Sequence, residues 1–291
     1  MAGPTRLGVW VQAARPKTLV AGVVPVLVGT AASETLHPLR FLGALTVALA
    51  LQVAVNFAND YFDAVKGVDD DSRIGPRRAT AGGLISPARM KVAITASFFV
   101  AGVAGGLLAL AVGPGLFAIG LVCLLAALGY SGGPRPYGAA AMGEVFVFIF
   151  FGLVATVGSA YIQTETISWV ALAASVPVGL LASAILAANN LRDMASDART
   201  GKKTLSVQLG ASGAIRLYRA LVAGAFISLP IVVLSGGGWQ SLAPILTLPL
   251  ALGPLEAVRR RTGAELIEVL VSTAKLELVF GVFLAAGLAF R

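Results

Sequence analysis

Residues 41–73 read FLGALTVALALQVAVNFANDYFDAVKGVDDDSR. The first fifteen residues carry no charge, and with the turns that follow they are long enough to cross an apolar layer of about 30 Å as a helix. The end of the run is polar: Asn56, Asn59, Asp60, Asp63 and Lys66, then Asp69, Asp70 and Asp71. A charge inside lipid is costly, so the acids read as the point where a membrane helix emerges from the bilayer. The pattern occurs a second time. An apolar run over 167–189 leads into NNLRDMASDARTGKKT, residues 189–204. All seven aspartates of the chain lie in these two stretches.

The rest of the composition agrees. The chain is 57% hydrophobic and 12% charged, with a mean hydropathy of +0.86. A soluble domain carries about 25% charged residues. Lipid offers no partner to a backbone polar group, so spanning structures are helices or closed barrels, and long unbroken apolar runs choose helices. The fold class is therefore an all-α integral membrane protein. The single cysteine, Cys123, excludes an intrachain disulfide, and the single histidine, His37, excludes a multi-histidine zinc site. The net charge of +8 reads as basic loops facing anionic lipid and not as a nucleic-acid surface.

Nine apolar segments have spanning length, near 18–33, 41–62, 90–111, 114–131, 142–162, 167–189, 215–235, 239–256 and 268–290. The eighth is the weakest, since Pro244, Pro249 and Pro254 interrupt it. With the N-terminus inside, nearly all Lys and Arg fall in the inside loops; Arg40 and Arg291 fall outside and Lys275 within the last span. That asymmetry follows the positive-inside rule. It places both acidic stretches on the cytoplasmic side of the cell membrane. Residues 1–33 share part of the pattern of a secretory signal, but a first span of a multi-pass chain does the same work. The expectation is one membrane domain over residues 1–291. Spans two and six run the same way, four helices apart, and both end in Asn and Asp, which suggests a weak internal repeat.

Asn56, Asp60 and Asp63 are spaced i, i+4, i+7 on the second span. Asn189, Asp193 and Asp197 are spaced i, i+4, i+8 on the sixth. Each set forms a stripe on one helix face. Hard oxygen donors without His or Cys select Mg²⁺ or Ca²⁺. Mg²⁺ commonly completes its shell with substrate phosphates. Lys66, Arg73, Arg77 and Arg78 follow the first stripe, and Arg192, Lys202 and Lys203 surround the second. Acids with a divalent cation and basic side chains can clamp a diphosphate. A diphosphate whose remaining part suits apolar spans is a polyprenyl diphosphate. The trio Asp69, Asp70 and Asp71 on its own is equally compatible with a solvated cap between helices.

The motifs Asn59-Asp60-Tyr61-Phe62-Asp63 and Asp193-Met194-Ala195-Ser196-Asp197 resemble the NDxxDxxxD and DxxxD motifs of the UbiA superfamily of membrane prenyltransferases. One position departs: the third acid of the first motif would fall at Gly67, and the next acids are Asp69 to Asp71. That departure, together with ARPKTL, YSGGPRPYG and GEVFVFIFFGLVA, is similar to the branch that uses 1,4-dihydroxy-2-naphthoate. The resemblance covers nearly the whole chain. It implies about nine transmembrane helices around a central cavity, dependence on Mg²⁺, and transfer of a polyprenyl chain to the naphthoate with loss of its carboxylate, giving demethylmenaquinone.

On this reading Asp60, Asp63, Asp193 and Asp197 are metal ligands, with Asp69 added from the trio. Asn59 and Tyr130 act with them at the reacting centre. Asn56, Lys66, Arg135, Tyr137, Glu144, Asn189, Arg192 and Lys203 are expected to bind substrate. Tyr130 and Tyr137 also suit an interfacial aromatic belt, and Arg135 a topology charge. A prenyltransferase with another acceptor (4-hydroxybenzoate, a haem or a glyceryl phosphate) is the nearest alternative. A transporter or lipid-binding protein is the alternative of a different kind, but its acids would sit at mid-membrane on broken helices. A CDP-alcohol phosphotransferase would carry a DGxxAR-type run, which is absent from the sequence.

Overall fold

The computed structural model describes residues 5–67, 78–133 and 136–291. Asp69, Asp70, Asp71 and Arg135 lie outside the described residues. Ten helical segments follow in order: α1 (Arg6–Ala14), α2 (Val20–Ala32), α3 (Pro38–Val65), α4 (Pro87–Val112), α5 (Gly115–Ser131), then α6 (Gly143–Thr164), α7 (Trp169–Arg199), α8 (Leu205–Gly237), α9 (Trp239–Arg260) and α10 (Gly263–Ala289). There is no strand among the described residues.

Seven of these helices are long and apolar enough to cross a membrane. The other two expected segments take different forms. The first is a pair of segments, Arg6–Thr18 and Val20–Ala32, bent by 49°. Arg15 in a left-handed conformation ends α1, and a 3₁₀ turn opened by Pro16 leads into the bend. The fourth is α5, an apolar helix of 17 residues. The proline-rich eighth segment is a helix after all: its first part, through Pro244, winds as 3₁₀, and α-helix resumes at Leu248. Local capping agrees with the chain. Ser86, Ser168 and Thr204 accept the N–H of the third residue beyond them at the starts of α4, α7 and α8, satisfying donors that lipid would leave bare.

The bundle is built around α7. In its most apolar window 78% of residues are buried, against 22–56% in the other six spanning helices. Small residues make this possible. Gly152 of α6 meets Gly179 of α7 so closely that a Cβ at Gly152 would lie 2.7 Å from the Gly179 Cα. Residues Phe148–Val154 of α6 are wound as π-helix across this contact. The two faces of the bundle differ. At one rim Arg40 pairs with Glu165 and Arg291 with Glu34. The other rim holds the ends of α3 and α7, where both aspartate motifs lie.

Candidate active site

Helix α3 ends at Val65 and α7 at Arg199, so Asp63 and Asp197 each fall in a last turn. The link between them is Lys202. Gly201 adopts φ +76°, and the Lys202 N–H donates to the Asp197 carbonyl at 2.9 Å. This is the left-handed helix stop that glycine permits at that position, and it folds the next residue back over the helix end. The Lys202 ammonium then lies 3.1 Å from Asp63 and 3.9 Å from Asp197. Acids of the two motifs share one cation, as two helix ends pointing the same way require.

Further cations complete the cluster. Arg78 Nη2 donates to the other Asp63 oxygen at 2.8 Å. Arg192 grips Asp193 with both forks, at 2.7 and 2.6 Å, and donates to Asn189 Oδ1 at 2.9 Å. Asp63, Asp193 and Asp197 are all buried and all line one cavity of about 790 Å³. Its polar end also holds Asn59, Lys66 and Asn190, and its walls are mostly apolar side chains of α2 to α7. An aromatic row runs from that end along the cavity wall. Tyr130 meets Tyr137 edge-on at 5.4 Å, Tyr137 stacks on Phe146 at 4.1 Å, and Phe146 faces Phe150 at 6.0 Å. Tyr137 donates to the Ala126 carbonyl at 2.8 Å. Burial, with a smaller contribution from nearby Cys123, pushes its phenol from 10.0 up to about 12, so it stays a neutral donor near pH 7.

Several expected residues are placed differently. Asp60 is buried but does not line the cavity; its two oxygens accept the backbone N–H groups of Ala79 and Thr80 at 2.9 and 2.8 Å. Asn56 lines the cavity, yet its amide nitrogen donates to Ala14 O and Thr18 Oγ1. It therefore pins the break between α1 and α2. Arg192 is buried behind Asp193 and is not a cavity residue, so it orients that acid and does not face a diphosphate. Lys203 points outward and its backbone N–H binds Ala139 O. Glu144 stands behind the wall, where it accepts from Asn190 at 2.9 Å.

Asn59, Lys66, Tyr130, Tyr137 and Asn189 all line the cavity. Asn59 accepts from Ser131, and Lys66 donates to the Ser131 carbonyl at 3.1 Å, so both tie α3 to α5. Among the polar cavity residues, Arg15, Arg78, Asn190 and Lys202 were not assigned a role at the site from the sequence. For Lys202 a signal existed, a glycine directly after a helix stop. For Arg78 no local pattern in the sequence gave such a signal.

The donor set can be tested against a divalent cation. Among the described residues no three His, Cys, Asp or Glu side chains converge on one point. The acids of the two motifs are nonetheless near enough to share the Lys202 ammonium, and the candidate ligand side chains at that end of the cavity, Asp63, Asp193, Asp197, Asn59 and Asn189, offer oxygen and no imidazole or thiolate. Such a half-shell suits Mg²⁺, which keeps water and phosphate oxygens, and does not suit zinc.

The model of the UbiA prenyltransferase family matches residues 22–275. A protein of Mycobacterium tuberculosis, 1,4-dihydroxy-2-naphthoate octaprenyltransferase, is 42% identical over 97% of both chains. The protein of the same name from Mycobacterium leprae is 40% identical over 96% of this chain and 95% of its own. Among solved structures, a UbiA homolog from Archaeoglobus fulgidus bound to GPP and Mg²⁺ superposes with a TM-score of 0.71 at 16% identity, over 97% of this chain and all of that one. With most of its length matched by the family model and by relatives above 30% identity, this multi-pass membrane protein belongs to the UbiA prenyltransferase family.

Proposed function

We propose that the chain transfers a polyprenyl group from its diphosphate to 1,4-dihydroxy-2-naphthoate, with decarboxylation, to give demethylmenaquinone. The observation that carries this reading is a single cavity with two chemically opposite ends. One end gathers Asp63, Asp193 and Asp197 with Arg78 and Lys202; the other is apolar and aromatic. That is the form of a molecule with a diphosphate head and an isoprenoid tail. The names of the two mycobacterial relatives support the naphthoate as acceptor, and the Mg²⁺ in the Archaeoglobus structure supports the metal.

In this scheme Asp63, Asp193 and Asp197 hold Mg²⁺, with Asn59 and Asn189 beside them. The bound ion would neutralise charge on the departing diphosphate. Arg78, Lys202 and Lys66 supply the remaining positive charge around it. The C–O bond to the diphosphate breaks, the electron-rich naphthoate ring bonds to the allylic carbon, and the ring then gives up its carboxyl group as carbon dioxide. Tyr130, Tyr137 and Phe146 present ring faces and edges along the cavity. An aromatic face stabilises a nearby cation and excludes water that would quench it. Arg192 fixes Asp193, and Glu144 fixes Asn190, before substrate arrives. The site faces the cytoplasm across the cell membrane, where basic loops collect.

The test is a product assay. Purified protein, Mg²⁺ and a polyprenyl diphosphate are incubated with the naphthoate, with 4-hydroxybenzoate and with no acceptor, and products are identified by mass. A prenylated, decarboxylated naphthoquinol is expected from the first mixture only. Prenylation of 4-hydroxybenzoate alone would move the chain to a different acceptor class.

A further inference from the structure

The first aspartate motif contains adjacent acids with opposite surroundings. Asp63 faces the cavity, where Arg78 and Lys202 meet it. Asp60, one helical turn earlier, has its back to the cavity and is 3% exposed. Each of its oxygens takes one backbone N–H, from Ala79 at 2.9 Å and from Thr80 at 2.8 Å. A carboxylate on two consecutive amides is a strong, charge-assisted anchor. The residue directly before those amides is Arg78, whose guanidinium lies 2.8 Å from Asp63. The segment then turns back on itself: the N–H groups of Leu84 and Ile85 both reach the Ala79 carbonyl, at 2.9 and 3.0 Å. Ala79 and Ile85 pack with Phe57 and Met90.

We propose that Asp60 is a positioning residue for the diphosphate site and not a metal ligand: it fastens the Ala79–Thr80 backbone to α3 so that Arg78 is presented to the cavity beside Asp63. The geometry explains why the motif carries acids at both positions. Residues 60 and 63 lie about 300° apart around a helix, so they diverge by about 60°. One can hold the loop while the other faces the substrate. The assignment rests on the diphosphate reading above.

Binding measurements separate this role from metal ligation. Detergent-solubilised full-length protein is titrated with Mn²⁺ alone, followed by electron paramagnetic resonance, and with inorganic pyrophosphate at fixed Mg²⁺, followed by calorimetry. Asp60→Asn is expected to leave Mn²⁺ binding within about twofold and to weaken pyrophosphate about tenfold, the loss of one charged hydrogen bond. Arg78→Gln should do the same, and the double variant should be little worse than Arg78→Gln alone, because both changes remove one interaction. Asp63→Asn should weaken Mn²⁺ itself. Thr80→Pro, which deletes one of the N–H groups and spares both acids, should copy Asp60→Asn and serves if that variant does not fold. Loss of Mn²⁺ binding in Asp60→Asn, losses that multiply with Arg78→Gln, or a neutral Thr80→Pro would each overturn the assignment while the diphosphate reading stands. Wild-type protein that binds no pyrophosphate would overturn both.

Discussion

Lys202 and Lys203 are chemically equivalent neighbours, and only one of them reaches the acids. The difference is a backbone angle. Gly201 at φ +76° reverses the chain, so the residue directly after it returns over α7 and the next one points outward. Lys202 thereby brings one positive charge to within 4 Å of acids from both motifs. A point charge aimed at a leaving group is worth most where water is excluded. Lys202→Met is therefore expected to lower turnover about 100-fold, in the range seen when one charge-stabilising donor is removed. Lys203→Met should lower it far less, as measured by product formation at saturating Mg²⁺ and diphosphate. Equal losses in the two would mean that the Gly201 turn does not select between them. Two lysines follow the glycine in the sequence, and which of them reaches the acids depends on the turn, which charge alone does not show.

At the scale of elements, what could be read beforehand was periodic and what could not was tertiary. The apolar runs gave the spans, and the i, i+4 spacings gave stripes whose ends, Asp63 and Asp197, meet at Lys202 because α3 and α7 run the same way. Asp60 obeyed the same spacing and yet faces a loop, since nothing within α3 tells which neighbour covers which side. The π-wound stretch of α6 was also invisible: FIFFGLV is an ordinary apolar run until it meets α7. There Gly152 lies against Gly179, and a Cβ would stand 2.7 Å from the Gly179 Cα and 3.0 Å from the Ser175 carbonyl oxygen. Both are backbone atoms that cannot turn aside. Phe146 and Phe150, which line the cavity, precede Gly152 on the same helix. Gly152→Leu should cost about 3 kcal/mol through forced separation of α6 and α7. Reduced yield of monodisperse protein and a lowered melting temperature would register it. A Gly152→Leu protein of wild-type stability would show that the helices can part freely, and that the glycine pair does not set the width of the cavity.

For the molecule as a whole, each cavity acid among the described residues already has a basic partner. Three cavity acids, Asp63, Asp193 and Asp197, are met by Arg78, Arg192 and Lys202. Unpaired buried carboxylates would strain the bundle, because burial disfavours charge; paired ones need no ion to keep the fold. Under the proposed function the metal would then be a partner of the diphosphate more than a structural support. Mg²⁺ entering alone must compete with these cations for the acids, whereas Mg²⁺ entering with a diphosphate gives Arg78 and Lys202 a new anion to hold. Chelation should therefore abolish turnover while leaving the melting temperature of the solubilised protein nearly unchanged. Mg²⁺ alone should raise that temperature little. Mg²⁺ with pyrophosphate, at about 100 times its dissociation constant, should stabilise the fold by about 2.7 kcal/mol through mass action. Thermal denaturation with chelator, with Mg²⁺, with pyrophosphate and with both would measure the coupling directly. A bundle that melts early in chelator, or that gains its full stability from Mg²⁺ alone, would show that the acids depend on the ion and that their pairing with Arg78, Arg192 and Lys202 does not balance the site.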